Sequence, residues 1–411
     1  MSTALNPETE YPFFFTWKAQ RDARPINITG GSGAYFETDE GESWLDLGSL
    51  IYQANIGHGN TRVMEAVKKQ AEEFCLSLPQ CVFPAKVELA ERLLEKAPDG
   101  FSKVFFTLGG SEAIENAVKI ARLFTGRHKL ISRYRSYHGA SFGALTLTGD
   151  WRRPPMEPGL AGVVHAMPCF CREAPGGRCE DDCGHSGIHH IAEVLEYEGP
   201  GTVAAVVVEP IPGANGVLIP PPGYLPAVRE ACDRHGTLLI ADEVLTGFGR
   251  TGKWFAYEHF GATPDIIAIG KGLTGGYGTL GAVMVHDRIA RFFDDQILYA
   301  GLTGYAHPLA CAAALESIKV YEDEQLIERA AKLESSFIEG LESLRSTLSS
   351  KKSFIRSLGL LGILEIEGAS DHEWAALQRA VDARKLHLHL RPRVGGLMLA
   401  PPLIISKDDL E

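Results

Sequence analysis

No apolar stretch of this 411-residue chain is long enough to span a bilayer, so a transmembrane helix is excluded. The opening residues, MSTALNPETEYPFFFTWKAQ, have no basic region ahead of an apolar segment, and no secretory signal is read there. Basic stripes with interleaved aromatics are missing, and a formal net charge of −12 argues against a nucleic-acid partner. Internal repeats and low-complexity tracts are absent too. Cysteine is scarce: eight in a long chain without a secretion signal read as reduced thiols, not a disulfide framework. The expected location is therefore cytoplasmic. What is present, 45% hydrophobic and 22% charged residues, is the composition of a soluble globular protein of two or three domains.

The apolar periodicity divides the chain. Residues 35–47, YFETDEGESWLDL, read as a hairpin turning at DEGE, and a helix with Val63, Ala66, Val67 and Ala71 on one face follows Gly57-His58-Gly59. From about 86 to 300, apolar strands alternate with amphipathic helices. KVFFTL, KLIS, TVAAVVVEP, TLLIADEV and DIIAIG are the clearest strands, and the alternation predicts an α/β domain with a mostly parallel sheet. After residue 307 long helices take over, in PLACAAALESIKVYEDE and QLIERAAKLESSFIEGLESL. The expected division is 71–306 for the large domain, with 1–70 and 307–411 together making a smaller α+β domain.

In open parallel sheets, ligands bind beyond the carboxyl ends of the strands. Lys271 stands there, between Gly270 and Gly272 after the buried run Ile266–Ile269, where an unpaired ammonium is costly. VFFTLGGSEAIENAVKIARLFTG, 104–126, reads strand, tight turn, helix; Gly109 and Gly110 permit close backbone approach, and Ser111 can cap a helix carrying Ile114, Ala117, Val118 and Ala121. The exposed N–H groups of such a helix start suit a phosphate. No Lys-Ser/Thr pair follows the glycines, so it is not a Walker A loop, and GGSGAY at 30–35 precedes a hairpin instead of a Rossmann helix.

TLLIADEVLTGFGRTG ends a buried strand in Asp242 and Glu243, which point to opposite faces and so cannot easily share one metal ion. A carboxylate at that place can pair with a protonated ring nitrogen. Glu209 closes VVVEPI at the same edge, and Tyr137 and His138 follow KLIS, where a planar ring can stack on an aromatic cofactor. Taken singly, each feature is ordinary structure. Together a phosphate cradle, a carboxylate for a ring nitrogen, an aromatic lid and a lysine are the parts of a pyridoxal-phosphate site. Two glycines beside Lys271 would make room for the ring.

Longer segments carry a resemblance: NIGHG, GGSEAIENAVKIAR, YHG, VVVEPIPGANGV, PPPGYLPAVRE, LLIADEVLTGFGRTGKW, PDIIAIGKGL, GLTGYAHPLACAAALE and APPLII. Nearly end to end, the chain resembles the class III pyridoxal-phosphate aminotransferases, the ω-amino-acid group of fold type I. The resemblance implies that Lys271 forms the Schiff base with pyridoxal 5'-phosphate and that Asp242 pairs with the pyridine nitrogen. It implies that Gly110 and Ser111 hold the phosphate and that Tyr137 and Val244 cover the two ring faces. His138 and Glu209 join them at the cofactor edge. Thr303 matches the threonine that reaches the phosphate of the neighbouring subunit, which makes a homodimer the expected minimum. Tyr52 and Arg391 fall at the substrate pocket, Arg391 ten residues before PPL, where pyruvate-using relatives carry a carboxylate-binding guanidinium.

The implied activity moves an amino group from an ω-amino acid, taurine-like or simple amine donor to a keto acid such as pyruvate. Aminomutases, racemases and decarboxylases of the same fold share these cofactor residues, and a non-catalytic cofactor-binding regulator is the reading from another class. Two departures stand out. The family usually writes Ser-Gly-Ser where Gly109-Gly110-Ser111 stands here, and a capping box at Ser406-Lys407-Asp408-Asp409 comes only five residues before the end, as if relatives continued further. Cys169, Cys171, Cys179 and Cys183, with His185 behind, lack paired C-x-x-C knuckles and read as an insertion loop of thiols, a region where taurine–pyruvate-like relatives also carry cysteines; no metal is expected.

Overall fold

A computed structural model describes residues 11–169, 189–348 and 350–411. Its fold is α/β, as the alternation predicts. Three strands open the chain: β1 (Ile28–Ser32), β2 (Tyr35–Thr38) and β3 (Ser43–Asp46), the last two forming the DEGE hairpin with Gly41 in the left-handed region at φ 74°. The helix after Gly59 spans Thr61–Glu73 and is capped by Asn60, whose side chain accepts from the Val63 N–H. Its inner face differs from expectation at one end. Val63 and Gln70 are buried and Ala66 and Val67 half-buried, whereas Ala71 is exposed, because Gln70 turns inward to donate to the Phe74 carbonyl.

Seven strands make the central sheet: β4 (Phe101–Thr107), β5 (Lys129–Arg133), β6 (Val163–Ala166), β7 (Val203–Val208), β8 (Leu238–Asp242), β9 (Ile266–Ile269) and β10 (Gly281–His286). They lie in the order β4-β10-β9-β8-β7-β5-β6. The five strands β9, β8, β7, β5 and β6 are parallel to one another, and β10 runs antiparallel to both β9 and β4. β6 and β10 lie outside the strands read from the sequence. Every residue of β7, β8 and β9 is buried, which is why these strands carry unbroken apolar runs with no alternation.

The helix Gly110–Thr125 covers one face of the sheet, with Ile114, Ala117, Val118 and Ala121 buried together with Ala113 and Ile120. An isoleucine fully buried in this way contributes about 1.5–3 kcal/mol. On the other face the helix Tyr224–His235 packs Tyr224, Leu225, Val228 and Cys232 against β7 and β8. Because β10 reverses direction between β4 and β9, the carboxyl ends of β4, β5, β7, β8 and β9 all open on one edge. Lys271, Asp242, Glu209, Tyr137, His138, Gly110 and Ser111 all follow those ends.

The later helices are Pro308–Asp323 and Leu326–Ser346. Beyond them come β11 (Ser353–Leu358), β12 (Leu361–Ile366), β13 (Leu386–His387), β14 (His389–Arg391) and β15 (Gly396–Leu399). β11, β12, β15 and β14 form an antiparallel sheet in that order, while β13 joins the N-terminal sheet beside β3, pairing Leu386 with Leu45 and His387 with Asp46. The two ends of the chain thus share one sheet. Ser406 caps the turn Lys407–Leu410 through the Asp409 N–H, as its capping sequence predicts.

Candidate active site

Lys271 follows Gly270 directly after β9, at φ 40°, and opens a short 3-10 turn to Thr274. Its side chain keeps partial exposure, yet desolvation lowers the ammonium pKa; Asp242 and Glu209 oppose that shift and the positive Arg391 reinforces it. The lysine is therefore poised toward the neutral amine. Its flanking glycines work differently from the expectation. A Cβ on Gly270 would lie 3.3 Å from the Gly110 backbone and 3.4 Å from Val244, and one on Gly272 would meet Asn55 at 2.6 Å. They let neighbouring protein segments close in around Lys271; the space they leave is taken by protein.

Asp242 ends β8 fully buried, accepting from the Val244 N–H at 3.1 Å and facing His138 Nδ1 at 2.7 Å. His138 Nε2 reaches Ser132 Oγ at 3.2 Å, so the imidazole lies behind the carboxylate and orients it. Glu243 points the other way, as adjacent strand residues must. It accepts from Thr246 Oγ1 and from the Ala256 and Tyr257 N–H groups at 3.0 and 2.8 Å, and burial raises its pKa to about 7. Two consecutive acids thus have separate duties: one faces the site and one holds the following turn.

Glu209 is buried beside them, accepting from the Tyr137 N–H at 2.9 Å and the Gly213 N–H at 3.3 Å. Burial raises its pKa to about 7, with the Asp242 charge adding and His138 opposing. The Tyr137 ring carries the Arg152 guanidinium at 4.6 Å and meets Trp17 edge-on at 6.2 Å. Arg152 also lies over Trp17 and Trp151, and Arg393 lies 4.3 Å from the Trp151 ring centre. This aromatic–cation stack was missed in the sequence, since its parts come from separate loops with no shared periodicity.

At the start of the helix Gly110–Thr125 the N-cap is Gly109, not Ser111. Ser111 sits one residue inside, and its hydroxyl pairs with Ser141 Oγ at 2.7 Å and accepts the Ser141 N–H at 3.0 Å. The first-turn N–H groups of Gly110 and Ser111 have no intrahelical acceptor and remain for an anion. Gly110 is required by packing: a Cβ there would be 2.5 Å from Val244 Cγ1, so Val244 closes on the same turn. Thr303 is exposed in the loop before the helix Pro308–Asp323, and no hydrogen bond ties it to Gly110 or Ser111 of its own chain.

The expected substrate residues come together. Tyr52 is buried in the left-handed region at φ 58°, with its ring 5.8 Å from Lys271 Nζ. Its hydroxyl accepts from Arg391 Nη2 at 2.9 Å and donates to Met398 Sδ at 3.2 Å. Arg391 Nε is buried without a partner. Arg391 thus joins Tyr52 and Lys271, while Arg393, two residues on, stays with Trp151. Of the cysteine cluster, Cys169 is buried near Arg133 at 3.4 Å; Cys171, Cys179, Cys183 and His185 lie outside the described residues. Among the described residues no group of three or more His, Cys, Asp or Glu is placed to hold a metal.

A helix start with free N–H groups, a desolvated lysine and a buried, oriented carboxylate along one sheet edge fit pyridoxal phosphate. Comparison with known proteins bears on the same point. The family model "Aminotransferase class-III" matches residues 17–411. An omega-aminotransferase of Caulobacter vibrioides is 36% identical over 420 residues, 97% of this chain and 93% of that protein. A putrescine–pyruvate aminotransferase of Pseudomonas aeruginosa is 33% identical over 338 residues, covering 79% of this chain and 74% of its own length. Among solved structures, a taurine:2-oxoglutarate aminotransferase from Bifidobacterium kashiwanohense, in complex with PLP and glutamate, superposes with TM-score 0.89 at 35% identity, covering 97% of this chain and 92% of that one.

Proposed function

The chain belongs to the class III aminotransferases, enzymes that depend on pyridoxal phosphate, and from that membership we propose that it moves an amino group from an ω-amino acid, a taurine-like sulfonate or a simple amine to pyruvate. The cofactor, when bound, supplies an electron-withdrawing ring and a carbonyl carbon that carries the amino group between the two substrates. The rest is done by side chains. Gly110 and Ser111 would hold the phosphate with backbone donors, with Tyr137 and Val244 beside the ring. Asp242, its orientation set by His138, would keep a proton on the ring nitrogen. Lys271 would hold the cofactor through Nζ, and the same amine, when free, would carry the proton between the substrate carbon and the cofactor carbon. Desolvation lowers its pKa, which favours the neutral amine that can take up that proton.

One observation carries the substrate class: Arg391, with an unpartnered buried Nε, lies on Tyr52, whose ring is 5.8 Å from the Lys271 amine. A guanidinium there suits a small acid whose reacting carbon reaches Lys271, and a keto acid is such a molecule. With an ω-amino donor the same arginine takes the far acid group, and a simple amine leaves it on Tyr52. In keeping with this, one relative is named for pyruvate as acceptor. A second copy of the chain completes the site in this reading, because Thr303 is exposed in the single chain and would reach the other subunit's phosphate.

The test is a panel of ω-amino acids, taurine and monoamines against pyruvate and 2-oxoglutarate, read by keto-acid consumption. The expected result is a preference for pyruvate and a raised KM for it in Arg391→Ala. Strong preference for 2-oxoglutarate, with Arg391→Ala leaving acceptor KM unchanged, would overturn the assignment.

A further inference from the structure

Arg391 is the last of three alternating side chains, along one stretch, that reach Asp46 and the turn bearing Tyr52. His387, His389 and Arg391 are two residues apart in extended chain, which places them on one face. Each makes one rung to the segment opposite. His387 Nδ1 lies 2.8 Å from Asp46 Oδ1; His389 Nε2 lies 3.2 Å from the Gly48 carbonyl; Arg391 Nη2 donates to Tyr52 at 2.9 Å. The His389 ring also lies against the Tyr52 ring, with centroids 4.3 Å apart.

The segment being gripped is strained. Ser49, Leu50 and Tyr52 all hold positive φ, at 47°, 54° and 58°. Non-glycine residues in that region cost about 1–3 kcal/mol each and persist only where surroundings impose them. Asp46 supplies part of that hold, accepting from the Leu50 N–H at 2.8 Å and from His58 Nε2 at 2.9 Å. Glycine at position 48 supplies the clearance: a Cβ there would be 3.0 Å from His389 Nε2 and 3.2 Å from His387 Cε1. The histidines are thus built into this turn at contact distance.

We propose that His389 is a positioning residue for acceptor recognition: its bond to the Gly48 carbonyl holds the turn that carries Tyr52, and so fixes the Tyr52–Arg391 pair in the orientation that meets a carboxylate. The inference rests on the reading of Arg391 given above. Since Nε2 faces a carbonyl, that nitrogen carries the ring proton. Burial, then the charges of Arg391 and His387, lower the His389 pKa to about 3, so the ring stays neutral beside Arg391 and does not repel it. Without His389 the Tyr52 turn keeps its Asp46 anchor but loses its bond at the Gly48 carbonyl, and the Tyr52–Arg391 pair loses that support.

Steady-state kinetics of the cofactor-loaded enzyme test this with His389→Ala, His389→Phe and His389→Gln. Gln keeps a donor in reach of Gly48; Phe keeps a ring against Tyr52 but has no donor. We expect Ala and Phe to raise the keto-acid KM about tenfold, with kcat within about threefold and the KM of a monoamine lacking an acid group within about twofold. Gln should return the keto-acid KM to within about threefold of wild type. Combining His389→Ala with Arg391→Ala should add no further increase over Arg391→Ala alone, because both act on one contact.

If amine and keto-acid KM rise together, if neither moves, or if Gln is no better than Ala, the positioning role is wrong. Should the Ala variant fail to accumulate, Phe against Gln decides in the same way. An unchanged keto-acid KM in Arg391→Ala would overturn the reading of Arg391 itself, whereas a normal Arg391→Ala response with unresponsive His389 variants overturns this inference alone.

Discussion

Replacing Asp242 by Asn removes one charge and almost nothing else. The amide oxygen can still accept the Val244 N–H, now bonded at 3.1 Å. The amide NH2 would face His138 Nδ1 in place of a carboxylate at 2.7 Å, and His138 can meet it by moving its proton to Nε2, toward Ser132 Oγ at 3.2 Å. The buried network therefore stays satisfied, and the variant should fold and load the cofactor. On the proposed assignment, what it loses is the negative charge that would face a protonated ring nitrogen, at a buried position where water screens little. Removing one preorganised electrostatic group of this kind costs about 2.7–4 kcal/mol in the transition state, or roughly 100- to 1000-fold in rate. Asp242 is also the foremost influence raising the Lys271 pKa, so its loss leaves that amine easier to deprotonate and capture of the cofactor intact. The assay is a stopped-flow half-reaction: variant and wild type, matched in cofactor occupancy, are mixed with donor amine and the visible absorbance is followed. A rate within about tenfold of wild type at full occupancy would refute the assignment of this charge to the ring nitrogen.

Lys271→Ala should give a folded protein with no visible absorbance from lysine-bound cofactor and turnover lowered by at least about 1000-fold; normal turnover would remove the central claim. Asp46→Asn should destabilise the fold by about 3–5 kcal/mol at neutral pH, since it leaves His387, His58 and the Leu50 N–H without their buried carboxylate. Burial alone would raise the Asp46 pKa, but the bonds from His387, His58 and Leu50 outweigh it and hold the group below the usual carboxylate range. That stability is therefore present above about pH 4 and is lost as pH falls further, so chemical denaturation of the Asn variant should show a flatter acid limb. Sedimentation should find a homodimer across the range in which activity is constant, and Thr303→Ala should weaken cofactor retention without dissociating it; an active monomer would defeat the shared site.

The strand ends were legible because physics writes them plainly. Strands buried on both faces must be apolar throughout, so a Lys, Asp or Glu at the close of VVVEP, LLIADE or DIIAIGK stands out, and the open edge of a parallel sheet is where such groups are tolerated. The helix face Ile114, Ala117, Val118 and Ala121 was legible for the same reason, and so was the opposed pointing of Asp242 and Glu243. β6 and β10 are less legible: VVHA is short and interrupted by His165, and GAVMVH opens on a glycine, which strands disfavour.

Other features depended on separations that a linear pattern does not encode. His138 behind Asp242 is 104 residues away in sequence, and His389 against Gly48 is 341 away. Arg391 and Arg393 are alike as letters; only the course of the chain after β14 sends one to Tyr52 and the other to Trp151. Ser111 reads as a cap, yet Gly109 occupies the cap position because the turn after β4 enters the helix one residue earlier, leaving the Ser111 hydroxyl to the Ser141 loop. The glycines beside Lys271 mark a tight place in the sequence, but what fills it, Gly110 and Val244 on one side and Asn55 on the other, comes from three distant segments. Local composition determined which residues had to be buried or at a strand end; the packing of segments hundreds of residues apart decided which of them meet, because a side chain's chemistry is set by neighbours that chain order does not specify.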